Sequence, residues 1–222
     1  MHKLDHIVFA ASSLEEGTNF IENKLNSKLS NIGYHDFMGT YNRVIKVDKS
    51  IYLEVIAINP CSEAPKKDRW FNLDNPKLQQ KLKNSPQIIG YVIETDDKEI
   101  LKHFCAPITA SRGDYKWNFA IPNLESEFLD PNLIESGIIP NLINWKSNKP
   151  ILQMNDSDFK LNKIEIEITN NQIHYKKLIN SLGIIEKLTF SIKNNIKNYN
   201  SNDYPKLKMS IKDMKTNKNI LL

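Results

Sequence analysis

Residues 4–25 read LDHIVFAASSLEEGTNFIENKL, and the change of period inside this stretch decides the fold. Leu4 to Ala10 is a short apolar strand, and simple alternation places Leu4, His6, Val8 and Ala10 on one face. Ser12 or Ser13 then caps a helix, with Glu15 or Glu16 placed to complete a capping box. Leu14, Phe20, Ile21 and Leu25 give that helix an apolar stripe. A polar stretch, Gly33-Tyr34-His35-Asp36, follows. Strands from Tyr41 to Val47 and from Ile51 to Ile58 then flank a tight Asp48-Lys49-Ser50 turn. The unit is β-α-β-β-β, with its second strand weakly marked by the pattern.

The same order returns twice. A strand from Ile88 to Glu94 leads to a helix capped by Thr95 or Asp96 and running to about Phe104. Strands are expected at Ile108–Ala110, Tyr115–Ile121 and Ile138–Trp145, with residues 122–136 as a long loop. The third copy has a strand from Leu161 to Thr169, a helix from Asn170 to Leu182 ended by Gly183, and strands Lys187–Ile192, Lys206–Ile211 and Asn219–Leu222. Residues 59–86 and 146–160, rich in Asn, Pro, Lys, Asp and Ser, read as connectors. One such unit cannot cover both faces of its own sheet. Two are expected to pair edge to edge into a cup, giving an α+β domain over 1–150 and a divergent module over 160–222. The odd third unit suggests a dimer contact or a cover on the cup.

Composition narrows the function classes. The chain has 222 residues, 25% of them charged, and no apolar run near the roughly 18 residues of a membrane helix. Its start lacks a secretory pattern, and Cys61 and Cys105 have neither CxxC spacing nor metal-like neighbours, which fits a cytoplasmic protein. Residues 160–222 carry 12 lysines against 5 acidic residues, but no arginine, so this basic tail is expected to be a solvated face rather than a nucleic-acid surface.

Arginine occurs only three times beside 27 lysines, as Arg43, Arg69 and Arg112. A planar fork that lysine cannot imitate is a physical reason to keep them, and they are candidate carboxylate or phosphate clamps. Trp70 and Trp117, close by in sequence, and Trp145 are candidate stacking walls. The competing role is structural, tying loops together through backbone carbonyls or carboxylates such as Asp74 and Asp114.

Among the histidines, His2 is terminal, and His103 and His174 lie among lysines on expected helices. His6 sits within an apolar strand, and His35 in a glycine-bracketed loop. Glu54 has apolar neighbours on both sides, where an ionised carboxylate needs a partner, a hydrogen bond or a metal. His6, His35 and Glu54 are therefore candidate ligands of one divalent metal ion (Zn, Fe, Mn or Ni), His6 and Glu54 also being candidate catalytic residues. The alternative is a buried His6–Glu54 ion pair with His35 as a hydrogen-bonding loop residue.

Leu4-Asp5-His6-Ile7-Val8, Gly33-x-His35-x₃-Gly39-Thr40-x-Asn42 and Tyr52-Leu53-Glu54-Val55-Ile56 resemble the glyoxalase-like domain of the vicinal oxygen chelate superfamily. Arg69-Trp70-Phe71, Ser111-Arg112-Gly113-Asp114 through Trp117, and Gly137-Ile138-Ile139-Pro140 with Trp145 extend the resemblance over about residues 3–150. It implies paired β-α-β-β-β modules whose cupped sheet holds a divalent metal, with His on a module's first strand and Glu on its last. His6 and Glu54 fall on those places. Their counterparts in the second copy, near Gly90 and Asn141, offer no ordinary ligand.

Two functions follow. One is a metal-assisted lyase, isomerase or dioxygenase-like enzyme acting on a small oxygenated or anionic molecule, with Glu54 as a general base if no metal is bound. The other is a non-catalytic small-molecule binding or sequestration protein with the same cup. Arg43, Arg69, Arg112, Trp70, Trp117 and Asn42 are the expected ligand contacts in either case. No organic cofactor, nucleic acid or membrane is expected as a partner, and a homodimer fits the unpaired third unit.

Overall fold

A computed structural model of the chain describes residues 2–101, 104–123, 131–169, 187–193 and 207–222. The first unit comprises β1 (Lys3–Ala10), α1 (Leu14–Leu25), β2 (Gly33–His35), β3 (Thr40–Lys46) and β4 (Tyr52–Ile58). The connector that follows is not structureless: it holds a 3-10 turn at Trp70–Asn72 and the helix α2 (Pro76–Leu82). The Asn75 side chain caps α2 by accepting from the Lys77 and Leu78 N–H groups, and Pro76 sits at the helix start, where its missing N–H costs nothing.

The second unit comprises β5 (Gln87–Glu94), α3 (Lys98–Leu101), β6 (Ile108–Arg112), β7 (Tyr115–Ala120) and β8 (Asn141–Trp145), with a short helix α4 (Pro131–Glu135) in the long loop. The helix expected to reach Phe104 does not do so, because Phe104 forms an antiparallel bridge with Pro122. The third unit has β9 (Phe159–Thr169), β10 (Leu188–Lys193), β11 (Leu207–Asp213) and β12 (Lys218–Leu221). Its expected helix, His103 and His174 lie outside the described residues.

The first two units build one eight-stranded sheet in the order β2-β3-β4-β1-β5-β8-β7-β6. In each, the opening strand pairs parallel with the unit's last strand, β1 with β4 and β5 with β8. β1 and β5 pair antiparallel at the centre, so the two units meet edge to edge within one chain. The third unit diverges in its connectivity. Among the described residues its strands run β10-β9-β11-β12, and β9 pairs parallel with β10 rather than with β12.

Each face of the large sheet has its own apolar cluster. On the outer face, Leu14, Ile21 and Leu25 of α1 pack with Leu53, Val55 and Ala57 of β4. Ser13 starts this helix by accepting from the Glu16 N–H at 3.1 Å, a cap that contributes about 1 kcal/mol. Gly17 lets α1 lie close to the sheet, since a Cβ there would come within 2.6 Å of Val55 Cγ1. Leu161, Ile164, Ile166, Met209 and Ile211 of the third unit join this same outer cluster. The third unit therefore packs on the outside of the sheet, opposite to the cup, so of its two expected roles, a dimer contact or a cover on the cup, the cover is not what it forms. The inner face carries Val8, Ala10, Ile56, Trp70, Trp117 and Phe119.

One irregularity at the sheet centre re-aims the first strand. Leu4 pairs with Ile93 and His6 with Val92, so Asp5 is an extra residue, a β-bulge. Leu4 consequently packs in the outer cluster with Ile7 and Phe9, while Val8 and Ala10 face inward. The expectation that Leu4 shares a face with His6 fails for this reason.

Candidate functional site

The inner face holds a partly open pocket of about 40 Å³, lined by His6, His35, Asn42, Glu54, Arg112 and aromatic side chains. Strand alternation explains who reaches it. On β4, Tyr52 and Glu54 point in; on β3, Asn42 and Val44; on β7, Trp117 and Phe119; on β8, Ile143 and Trp145. Arg112 arrives from β6 on the face of Ala110, and His35 from β2.

Four polar side chains form a chain across the cup. The Asn42 amide Nδ2 donates to Glu54 Oε1 at 2.5 Å. Arg112 Nη1 donates to Asn42 Oδ1 at 3.1 Å and lies 3.2 Å from His35 Nε2. Because guanidinium has no acceptor, His35 Nε2 must offer its lone pair, leaving the ring proton on Nδ1, 3.5 Å from Thr40 Oγ1. Burial, and then the neighbouring Arg112 and His6, push the His35 pKa down to about 3, so the ring is neutral. Arg112 Nη2 and Nε make no hydrogen bond among the described residues, and its guanidinium carbon lies 5.9 Å from the centre of the Tyr115 ring.

A second cluster sits across from this chain. His6 Nε2 lies 3.5 Å from Glu54 Oε2, its ring stacks on Tyr52 with centroids 4.6 Å apart, and its Nδ1 lies 2.6 Å from Asp5 Oδ1. Trp145 Nε1 donates to the other Asp5 oxygen at 2.9 Å. Burial first, then the charges of Asp5 and Glu54, raise the Tyr52 pKa well above the ordinary phenol range. His6, Glu54 and Asp5 are all at most 5% exposed, which is tolerable only because each carboxylate is hydrogen-bonded.

The expected arginine trio does not assemble. Arg112 lines the cup, but Arg43 neighbours the inward Asn42 on the same strand, so it faces outward and donates to the Ser30 carbonyl at 2.6 Å. Arg69 donates from both its backbone N–H and Nη1 to Asp74, at 2.7 and 2.5 Å, and ties down the loop before α2. Both serve the structural role weighed against the binding one. Trp70, Trp117 and Trp145 do wall the cavity, and Trp70 Nε1 is buried without a hydrogen-bond partner among the described residues.

The metal set fares similarly. No three His, Cys, Asp or Glu side chains among the described residues converge as an ion requires. His6 and Glu54 face each other, but His35 spends on Arg112 the lone pair that a metal would need. Two ligands fall short of the three or four that zinc takes from a protein. The residues of this cup do not fit the expected ion. Plain alternation on β1 turns Asp5 away from His6, and the bulge brings both to one side.

The model of the glyoxalase-like domain family matches residues 4–180. No curated protein matches the chain. Among solved structures, a hypothetical protein from Staphylococcus aureus is similar over 96% of this chain and 91% of its own, with a TM-score of 0.61 and 16% identity. A hypothetical protein from Bacillus halodurans C-125 is similar over 67% of this chain and 96% of its own, with a TM-score of 0.42 and 14% identity. Methylmalonyl-CoA epimerase from Mycobacterium tuberculosis is similar over 68% of this chain and 91% of its own, with a TM-score of 0.42 and 12% identity. The first of these shows the fold along nearly the whole chain.

Proposed function

From a chain that belongs to the glyoxalase-like domain family, we propose an enzyme that moves a proton on a small carboxylate or carbonyl compound, with Arg112 and Glu54 as its working pair. The observation that carries this reading is the chain Glu54–Asn42–Arg112, which fixes a carboxylate and a guanidinium relative to each other within one pocket. Among the described residues, Arg112 hydrogen-bonds through Nη1 alone. Its remaining donors form a fork suited to two oxygens of one anion. Trp70 and Trp117 provide apolar walls for the rest of the molecule.

In this reading Glu54 Oε2 takes a proton from the carbon beside the carbonyl group. The C–H electron pair moves into the carbon framework, and the oxygen gains negative charge against the Arg112 guanidinium. Return of the proton to the same carbon exchanges or inverts it; return to a neighbouring carbon isomerises the molecule. No oxidant or co-reactant is consumed. General-base help of this kind contributes about 10²–10⁴-fold, and the fixed guanidinium adds charge stabilisation without reorganisation.

A second reading is favoured by the hydrogen bonds that already fix Arg112: a binding protein whose anion site is already formed. Solvent deuterium exchange separates them. Chelator-treated protein is incubated in D₂O with a panel of small 2-oxo acids and hydroxyketones, and loss of the signal from the proton beside the carbonyl is followed by proton NMR. The enzyme reading expects exchange that Glu54→Gln abolishes while binding persists. Binding without exchange, unchanged by Glu54→Gln, supports the binder instead.

A further inference from the structure

Asp5 has no place in the reaction just described, yet it is a buried carboxylate with two partners. Trp145 Nε1 donates to one oxygen, and His6 Nδ1 lies against the other. Adjacent residues of a regular strand point to opposite faces, so an Asp5–His6 pair on one side requires the bulge seen between Leu4 and His6. Trp145 comes from β8 of the second unit, so the carboxylate is also held across the junction of the two modules.

We propose that Asp5 is a positioning residue that keeps the proton of the His6 ring on Nδ1 and thereby turns Nε2 toward Glu54. The Trp145 indole is an obligate donor and commits one Asp5 oxygen to accepting; the second oxygen, 2.6 Å from Nδ1, accepts the ring proton. Nε2 is then the nitrogen that faces Glu54 Oε2 at 3.5 Å, where a proton taken by the carboxylate can be passed to the ring or returned from it. This last consequence rests on the proton-transfer reading; the state of the ring does not.

The logic makes an unusual demand on Asp5→Asn. Trp145 takes the amide oxygen, so the amide NH₂ is turned toward His6 Nδ1, and two donors cannot face each other. The ring proton must move to Nε2, the inverted tautomer known to disable carboxylate–histidine pairs. The experiment is nitrogen NMR of protein labelled in histidine, with His6 assigned by its disappearance in His6→Gln. The expected result is a protonated Nδ1 in the unaltered protein, an unprotonated Nδ1 in Asp5→Asn, and a protonated Nδ1 again in Asp5→Asn/Trp145→Phe, where the amide is free to rotate.

A bare Nδ1 in the unaltered protein overturns the proposal, as does an Asp5→Asn protein whose Nδ1 stays protonated. If the variants do not fold, the spectrum of the unaltered protein decides alone. No substrate enters the measurement, so its failure leaves the proton-transfer reading to its own test, and absence of deuterium exchange leaves the tautomer result standing.

Discussion

Arg112 Nη1 lies 3.2 Å from His35 Nε2, and these residues belong to β6 and β2, the two outermost strands of the eight-stranded sheet. The sheet curls until its edges touch, and a neutral histidine held by a permanent cation seals the seam. Both edges of the cup thus come from one chain. The same contact removes His35 from the set of groups free to bind a metal.

Gly33 is what allows the seam to close. A Cβ at this position would overlap both Arg112 Nη1 and Asn42 Oδ1. Gly33→Ala should displace the guanidinium and cost about 1–3 kcal/mol of stability, the range for overpacking. Thermal unfolding and benzoate titration check this together: a modest fall in melting temperature with a large loss of affinity is expected.

His35 should make the protein acid-sensitive. Its pKa in the fold, about 3, lies below the ordinary 6.5, so between these values the unfolded chain binds a proton that the folded chain refuses. Stability is therefore complete above about pH 6.5 and falls toward pH 3, by up to about 1.4 kcal/mol per pH unit. Denaturant unfolding across this range should show the slope, and His35→Gln should flatten it.

Glu54→Gln should separate binding from proton transfer. The buried carboxylate opposes any anion entering the cup, so its removal should tighten benzoate binding several-fold. Deuterium exchange should fall by about 10²–10⁴-fold. Calorimetry and proton NMR on the same sample read both effects.

Arg69→Lys should behave as a structural change only. Its bonds to Asp74 hold the loop ahead of α2, and it does not line the cavity. A loss of about 1 kcal/mol is expected, visible in the melting temperature, with benzoate affinity unchanged in the folded fraction.

Much of this was legible in the residues. Glu54 and His6 stand out because polar groups inside apolar strands need partners, and the alternation of β4 and β7 places Glu54, Trp117 and Phe119 correctly. Arg43 was open to exclusion on the same ground: Asn42 and Arg43 are adjacent on one strand and cannot both face the cup. The cap of α2 was also in plain view, as Asn75 before Pro76. Asp5 was not, because a bulge breaks the alternation on which such readings rest. The pairing of His35 with Arg112 joins residues 77 apart through the curl of the whole sheet, which no local pattern encodes.

The central claim is that the cup receives an anion at Arg112, without a metal ion between them. Calorimetric titration of benzoate into chelator-treated protein, and into Arg112→Lys, tests it most directly. The account predicts binding without added metal and an affinity at least about tenfold weaker in the lysine variant, the equivalent of ~1.4 kcal/mol, because the charge stays and the fork is lost. Binding that appears only after a divalent metal is added, with Arg112→Lys indistinguishable from the unaltered protein, would contradict it.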